Sequence, residues 1–312
     1  MRLGIIGAGG ISGTHARAAQ AIDGVSIVAV HGHNPEKTAA LAASANAVPY
    51  ADLDAFLSHP MDIVAIGSPS GLHAQQAIVA VRRGLHVIVE KPLDVTTERI
   101  DALLAEADRV GVKVGVFFQE RMIPELVAIK ERLDRGALGD PLFISGHLDW
   151  YRPPEYYSGS RWRGRRNLDG GGALMNQGIH TVDVLLWLFG PVRRVTGRTA
   201  TRVHAIEVED TASALLDFEN GAFGTIRATT AASPGSPRRL EIVGTKGTIV
   251  HEEPARAALV ADATPHRRVL EDFVDAVKTN RRPACDGVEG RRSVALIEAI
   301  YRSARSGGSE TP

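Results

Sequence analysis

The first 120 residues alternate short, continuous apolar runs with stretches of helical spacing, and this alternation constrains the fold more than any other feature. The apolar runs cover residues 2–6, 25–30, 62–66, 85–89 and 113–117, with a shorter one at 47–49. Between them, residues 73–83 and 96–110 place apolar side chains three and four apart. A strand that is apolar at every position is buried on both faces, and strands separated by helices pair in parallel. Residues 1–121 are therefore expected to form an α/β domain, a doubly wound parallel sheet.

After Pro124 the pattern changes. A helix is expected over 123–134, a strand near 141–147, and, after a long polar and aromatic loop, an apolar helix over 172–189. Strand-like segments follow at 192–204, 209–219, 222–230, 239–243 and 247–251. Asn220-Gly221 between two of them is a hairpin signal, because both residues tolerate the positive φ of a tight turn. Amphipathic helices over 265–278 and 289–304 close the pattern, and the Gly/Ser-rich residues 306–312 are expected to fray. The expected second domain, residues 122–312, is α+β on an open, mainly antiparallel sheet.

A length of 312 residues suits two domains. Lys+Arg and Asp+Glu are both 36, so no net field draws the chain to nucleic acid or to an anionic membrane. No apolar run reaches the length of a transmembrane helix, and the first residues lack the pattern of a secretory leader. Cys285 is the single cysteine, which excludes an internal disulfide and suits a reducing, cytoplasmic setting.

Gly7-Ala8-Gly9-Gly10-Ile11-Ser12 follows the first strand and opens a helix. This is G-x-G-x-x-G with Ser in the last place. Gly7 permits the turn, Gly9 and Gly10 let backbone approach a pyrophosphate at a helix N-terminus ahead of Ile11, and Ser12 is small enough to pack helix on strand. Dinucleotide binding in a Rossmann domain is expected. The second strand ends in His31-Gly32-His33-Asn34, with no acidic residue for the ribose hydroxyls of NAD. Gly32 leaves space, and His33 with Lys37 can face a 2′-phosphate, so the reading of NAD(P) leans to NADP(H), with NAD through backbone contacts as the alternative. Gly67-Ser68-Pro69, followed by His73, is either a loop under the nucleotide or a plain turn before a helix. Glu90-Lys91-Pro92 ends the fourth long apolar run. Carboxyl ends of parallel strands are where such sheets bind ligands, so Glu90 and Lys91 are placed beside the cofactor and Lys91 is a candidate catalytic cation. The plain alternative is a solvated pair at a strand end.

These motifs, together with Asn176-x-x-x-His180 and Gly170-Gly171-Gly172, occur in one order, and the whole chain resembles the Gfo/Idh/MocA family. The resemblance implies a Rossmann domain, a C-terminal domain whose open sheet forms a homodimer or homotetramer interface, and NAD(P)-dependent hydride transfer at a sugar, sugar-acid or cyclitol carbon. It also implies that Lys91 lies near the nicotinamide and that His180 relays the substrate proton. Asn176 stands where inositol dehydrogenase-like members carry Asp, and Glu120 where relatives often have Asn.

Asn176 and His180 are four apart and share one helix face. Oxidising a secondary alcohol needs a base for the proton and a cation or donor for the developing alkoxide. His180 suits the first role, Lys91 the second, and Asn176 can orient either group. Asp183 is one turn further on, either orienting His180 or simply satisfied on the helix. The loop 149–167 holds three of the five tyrosines, two of the three tryptophans and five arginines. Tyr151, Trp162 and Arg163, with Glu120, are candidate contacts to an anionic or nucleotide-linked sugar. The same loop is equally suited to packing on a neighbouring subunit or on the cofactor. The His and Cys spacings match no zinc motif, so no metal is expected. Two other functions keep the fold: a non-catalytic NAD(P) sensor and a glycoside-cleaving enzyme that oxidises its sugar transiently.

Overall fold

The structure, a computed structural model, describes residues 1–253 and 262–312. They divide into two compact units, residues 1–119 with 262–291 and residues 120–253 with 292–312.

The first unit contains β1 (Arg2–Ile6), α1 (Gly10–Gln20), β2 (Ser26–His31), α2 (Pro35–Ser44), β3 (Val48–Tyr50), α3 (Leu53–Leu57), β4 (Ile63–Ile66), α4 (His73–Arg82), β5 (His86–Val89), α5 (Thr97–Val110) and β6 (Val114–Val116). The strands form one sheet in the order β3-β2-β1-β4-β5-β6, parallel throughout. The expected apolar runs become strands to within a residue or two, because every side chain of β4 and nearly all of β1 and β5 are buried. Strand order reverses between β1 and β4, the switch point at which such sheets open a crevice for ligands. Thr96 caps α5 by accepting from Arg99 N, and Gly111 ends it in the left-handed region at φ 82°.

The second unit contains α6 (Pro124–Asp134), β7 (Pro141–Asp149), α7 (Pro154–Ser158), α8 (Arg166–Asp169), α9 (Ile179–Phe189), β8 (Val192–Ala200), β9 (Thr211–Phe218), β10 (Phe223–Thr229), β11 (Arg239–Gly244) and β12 (Gly247–Glu252). Its sheet runs β12-β11-β7-β10-β9-β8. All pairings are antiparallel except β7 with β10, which run parallel, so β7 sits at the centre between strands that follow it much later. Along β9 buried and open residues alternate, with Ala212, Ala214, Leu216 and Phe218 turned to the core. On the covered face α9 lies close on β7: a Cβ at Gly146 would stand 2.5 Å from Thr181 Cγ2.

A single cut after residue 121 separates the two sheets, but the units are not contiguous in sequence. The first unit also takes α10 (Thr264–Lys278) and the start of α11 (Gly287–Ser306). Phe273 of α10 fills the space a side chain at Gly115 would need, its Cδ2 being 2.6 Å from that Cβ position, and Val116 N donates to Cys285 O at 2.9 Å.

Two expectations change. The helix expected over 172–189 is not uniform, since residues Ala173–Gly178 form a π-helix before α9 begins. Its start is held by Glu209, whose carboxylate accepts from Gly172 N at 3.0 Å and Leu174 N at 2.9 Å and from the Tyr301 hydroxyl at 2.8 Å. A Cβ on Gly172 would lie 1.9 Å from Glu209 O, so this approach requires glycine. The expected fraying at the last residues also fails. Glu310 and Val195 exchange two backbone hydrogen bonds, of 2.8 and 2.9 Å, which pin the last residues to the edge strand β8.

Candidate active site

In the first unit the chain leaves β1 through Gly7, whose φ of +108° and whose Cβ position, 2.7 Å from Gly67 O, admit no side chain. Gly7 N donates to His31 O at 2.8 Å, which holds the turn closed. Ser12 Oγ lies 2.9 Å from the Cβ positions of both Gly7 and Gly67, so Ser12 fills the packing place of the missing third glycine. Gly9 and Gly10, the cap and first residue of α1, have no atom within 4 Å of where a Cβ would be. Ile11, half-buried, borders the same turn. The open approach to the first N–H groups of α1 fits a dinucleotide pyrophosphate.

At the end of β2, Gly32 leaves less room than its lack of a side chain suggests. Thr38 Oγ1 would be 2.5 Å, and Ala8 Cβ 3.1 Å, from a Cβ there. The Asn34 carboxamide accepts from Lys37 N at 2.9 Å and caps α2. His33 and Lys37 are exposed, and His33 meets His31 edge to face.

Gly67, Ser68 and Pro69 follow β4 at the switch point. His73 ties this loop to the segment after β5: its Nε2 lies 2.9 Å from Ser68 O and its Nδ1 2.8 Å from Pro92 O. Ser68 Oγ donates to Gln76 Oε1 at 2.6 Å. Glu90 is buried and turned inward, with Oε1 2.9 Å from His15 Nε2 and 3.5 Å from His266 Nε2, while Oε2 accepts from Lys91 N at 3.1 Å. Burial alone would raise the Glu90 carboxyl, but the two histidines outweigh it and hold it well below the usual range. Burial pushes His15 down and keeps its ring neutral beside this carboxylate. The ring of His15 also stacks on Phe117 at 4.3 Å. Glu90 thus anchors the backbone of Lys91.

In the second unit, His180 is buried in the first turn of α9, with Nδ1 4.0 Å from Glu120 Oε1. Glu120, also buried, is bound through Oε2 by Arg238, which in turn binds Glu253. Burial opposes the charge of Arg238, and the two carboxylates more than offset it and raise its pKa. Asn176 lies in the π-helix; its Nδ2 donates to Asp169 Oδ1 and its Oδ1 accepts from Gln177 Nε2 at 2.9 Å. Asp183 forms a buried two-point pair with Arg121, at 2.8 and 2.6 Å, the satisfied state weighed for it from sequence.

The aromatic loop belongs to the same unit. Arg163 lies over the Tyr156 ring at 4.2 Å and over Trp162 at 5.4 Å, and Arg152 lies over Tyr156 at 5.0 Å. Arg152 donates to Gln177 Oε1 at 2.7 Å, and Gln177 to Tyr156 Oη at 2.8 Å. Among the described residues the Nε groups of both arginines are buried without a hydrogen-bond partner. Tyr151 is exposed and bridges to Ala231. Gly7, Gly67, His73 and Glu90-Lys91 are thus brought together in the first unit, and Glu120 with His180, and Asn176 with the arginine loop, in the second.

Residues 1–118 match the model of an oxidoreductase family with an NAD-binding Rossmann fold, and residues 126–250 match the GFO/IDH/MocA C-terminal domain. The chain belongs to the Gfo/Idh/MocA oxidoreductases. Among solved members of the family, it is similar to the WlbA dehydrogenase of Bordetella pertussis in complex with NADH and UDP-GlcNAcA, with 34% identity, TM-score 0.93, and coverage of 100% of this chain and 98% of that one. It is also similar to the WlbA enzyme of Chromobacterium violaceum with the same two molecules, at 31% identity, TM-score 0.92, and coverage of 100% and 96%. D-apiose dehydrogenase of Paraburkholderia graminis is 27% identical over 97% of this chain and 87% of its own length. The first unit is the family's NAD-binding part. Among the described residues no group of three or more His, Cys, Asp or Glu is arranged to hold a metal, and no helix is long and apolar enough to cross a membrane.

Sequence reasoning missed His15 and His266, the partners of Glu90, and Arg238, the partner of Glu120. His15 lies on the buried face of α1, where its spacing reads as core. Nothing local marks His266 or Arg238, which meet their carboxylates only through the fold.

Proposed function

We propose that the protein is an NAD-dependent dehydrogenase acting at a hydroxyl-bearing carbon of a nucleotide-linked sugar acid. The observation that carries the substrate class is the arginine pair around Tyr156. The guanidinium groups of Arg152, joined through Gln177 to Asn176, and of Arg163, stacked on the same tyrosine, suit charge-assisted hydrogen bonds to a carboxylate. Two solved relatives, 34% and 31% identical to this chain, hold NADH with UDP-GlcNAcA. Sugar and cyclitol dehydrogenation across the family supports the reaction class.

NAD, when bound, supplies the hydride acceptor. His180 takes the hydroxyl proton, Lys91 holds the oxygen as charge builds on it, and Asn176 orients the hydroxyl. The dinucleotide is NAD(H): relatives hold NADH, and Thr38 and Ala8 take the space beside Gly32. His33 and Lys37 add the charge that leaves NADP(H) as a poorer substitute. Assembly as a homodimer or homotetramer uses the open face of the second sheet, where Leu142, Leu215, Phe223 and Val250 are exposed. The lone cysteine suits work in the cytoplasm.

The test is turnover with NAD and with NADP on UDP-linked sugar acids, UDP-linked neutral sugars and free polyols. Lys91→Ala and His180→Ala are expected to lose about 10²–10⁴-fold in kcat with the circular dichroism spectrum unchanged. Arg163→Ala is expected to raise KM for the sugar acid alone. Turnover confined to free polyols, indifferent to Arg163, refutes the substrate class.

A further inference from the structure

We infer that Glu120 is the positioning residue of His180, fixing its ring and stabilising its protonated form. Asn176 cannot do this. Its amide carries no charge and does not titrate, so it does not stabilise an imidazolium as a carboxylate does. Glu120 Oε1 lies 4.0 Å from His180 Nδ1, with the residues only 7% and 1% exposed. Movement of the ring and the carboxylate toward each other would close this to a hydrogen bond of about 3 Å, the tightening expected when a base takes up its proton.

The charge around Glu120 makes the contact effective. Arg238 carries one positive charge and is bound by two carboxylates, Glu120 and Glu253. The cluster therefore keeps one net negative charge in a buried setting, and an imidazolium at position 180 balances it. Arg238 also donates to Thr181 Oγ1 at 3.4 Å, which ties the cluster to the first turn of α9. Arg121 and Asp183 neutralise each other. His251 on β12 is pushed down by burial and by Arg238, so it is neutral, and Glu125 adds a further negative charge. Glu120 thus does from the start of the second unit what an aspartate at position 176 would do from within the helix.

The proposal rests on His180 as the proton acceptor, and its test reads His180 directly in the protein without cofactor. Histidine labelled with ¹⁵N is followed by NMR through a pH titration, with His180→Ala assigning the signal. In the wild type the neutral ring is expected to carry its proton on Nδ1, and the Nε2–H tautomer would overturn the proposal without any substitution at Glu120. Glu120→Gln is expected to lower the proton affinity of His180 about tenfold or more, one pH unit, and to move the acidic limb of kcat/KM down with it. Glu253→Gln removes an equal charge without touching His180 and is expected to shift it less. Equal shifts in the two variants, or none in Glu120→Gln, would show that Glu120 does not position the ring. Glu120→Asp, which keeps the carboxylate, is expected to restore the titration. Should His180→Ala keep full activity while these shifts hold, the base assignment fails and the coupling stands.

Discussion

His15 Nε2 lies 2.9 Å from Glu90 Oε1, and both residues are buried beneath the backbone of Lys91. The folded pKa values of both groups lie below their unfolded values, so at acidic pH the unfolded chain binds more protons. The contribution of His15 is complete above about pH 6.5 and is lost as pH falls through its depressed value. That of Glu90 is complete above about pH 4.3 and is lost lower still. Thermal unfolding followed from pH 8 to 4 is expected to be flat above neutrality and to weaken progressively in acid. Glu90→Gln is expected to cost about 2–3 kcal/mol at pH 7 and to flatten the most acidic part of the curve. A melting temperature constant down to pH 4 would contradict this account.

Gly7 and Gly10 serve different ends in one turn. Gly7→Ala places a Cβ against Gly67 O in a left-handed backbone, and a loss of about 2 kcal/mol in stability is expected. Gly10→Ala meets no protein atom within 4 Å, so stability holds or rises slightly while NADH affinity falls. Denaturant unfolding and fluorescence titration of NADH separate the two. Unimpaired NADH binding by Gly10→Ala would place the pyrophosphate elsewhere.

His73 joins the loop after β4 to the segment after β5 through Ser68 O and Pro92 O. His73→Ala removes the ring that lies between the two carbonyls and is expected to loosen Lys91 and the nucleotide loop together. About tenfold weaker NADH binding and a lower kcat are expected, the loss of one or two net hydrogen bonds. Stopped-flow binding and steady-state rates measure the two effects, and a change in stability alone would make His73 a purely structural clamp.

Much of the fold was legible because the decisive signal is local. Strands β4 and β5 are apolar at consecutive positions, and the turn at Asn220-Gly221 joins β9 to β10 where the dipeptide marks it. The parallel pairing of β7 with β10 was not legible, since a run of strands joined by short turns reads as consecutive hairpins. The π-helix at Ala173–Gly178 was also hidden, because it follows from Glu209 reaching back to Gly172 and Leu174.

By itself the sequence determined the order and type of the main elements and the glycine turn at Gly7, and it offered Lys91, Asn176 and His180 as the candidates for the chemistry. Apolar periodicity and backbone permissiveness act between near neighbours, so a linear reading captures them. Only the tertiary structure decided which partner each buried charge meets. His15 and Glu90 are 75 residues apart, and Glu120 and Arg238 are 118 apart. A buried carboxylate must find a donor, and that need says nothing of where along the chain the donor lies. The same rule gave Asp183 to Arg121 and Asn176 to Asp169, and placed Glu120 beside His180.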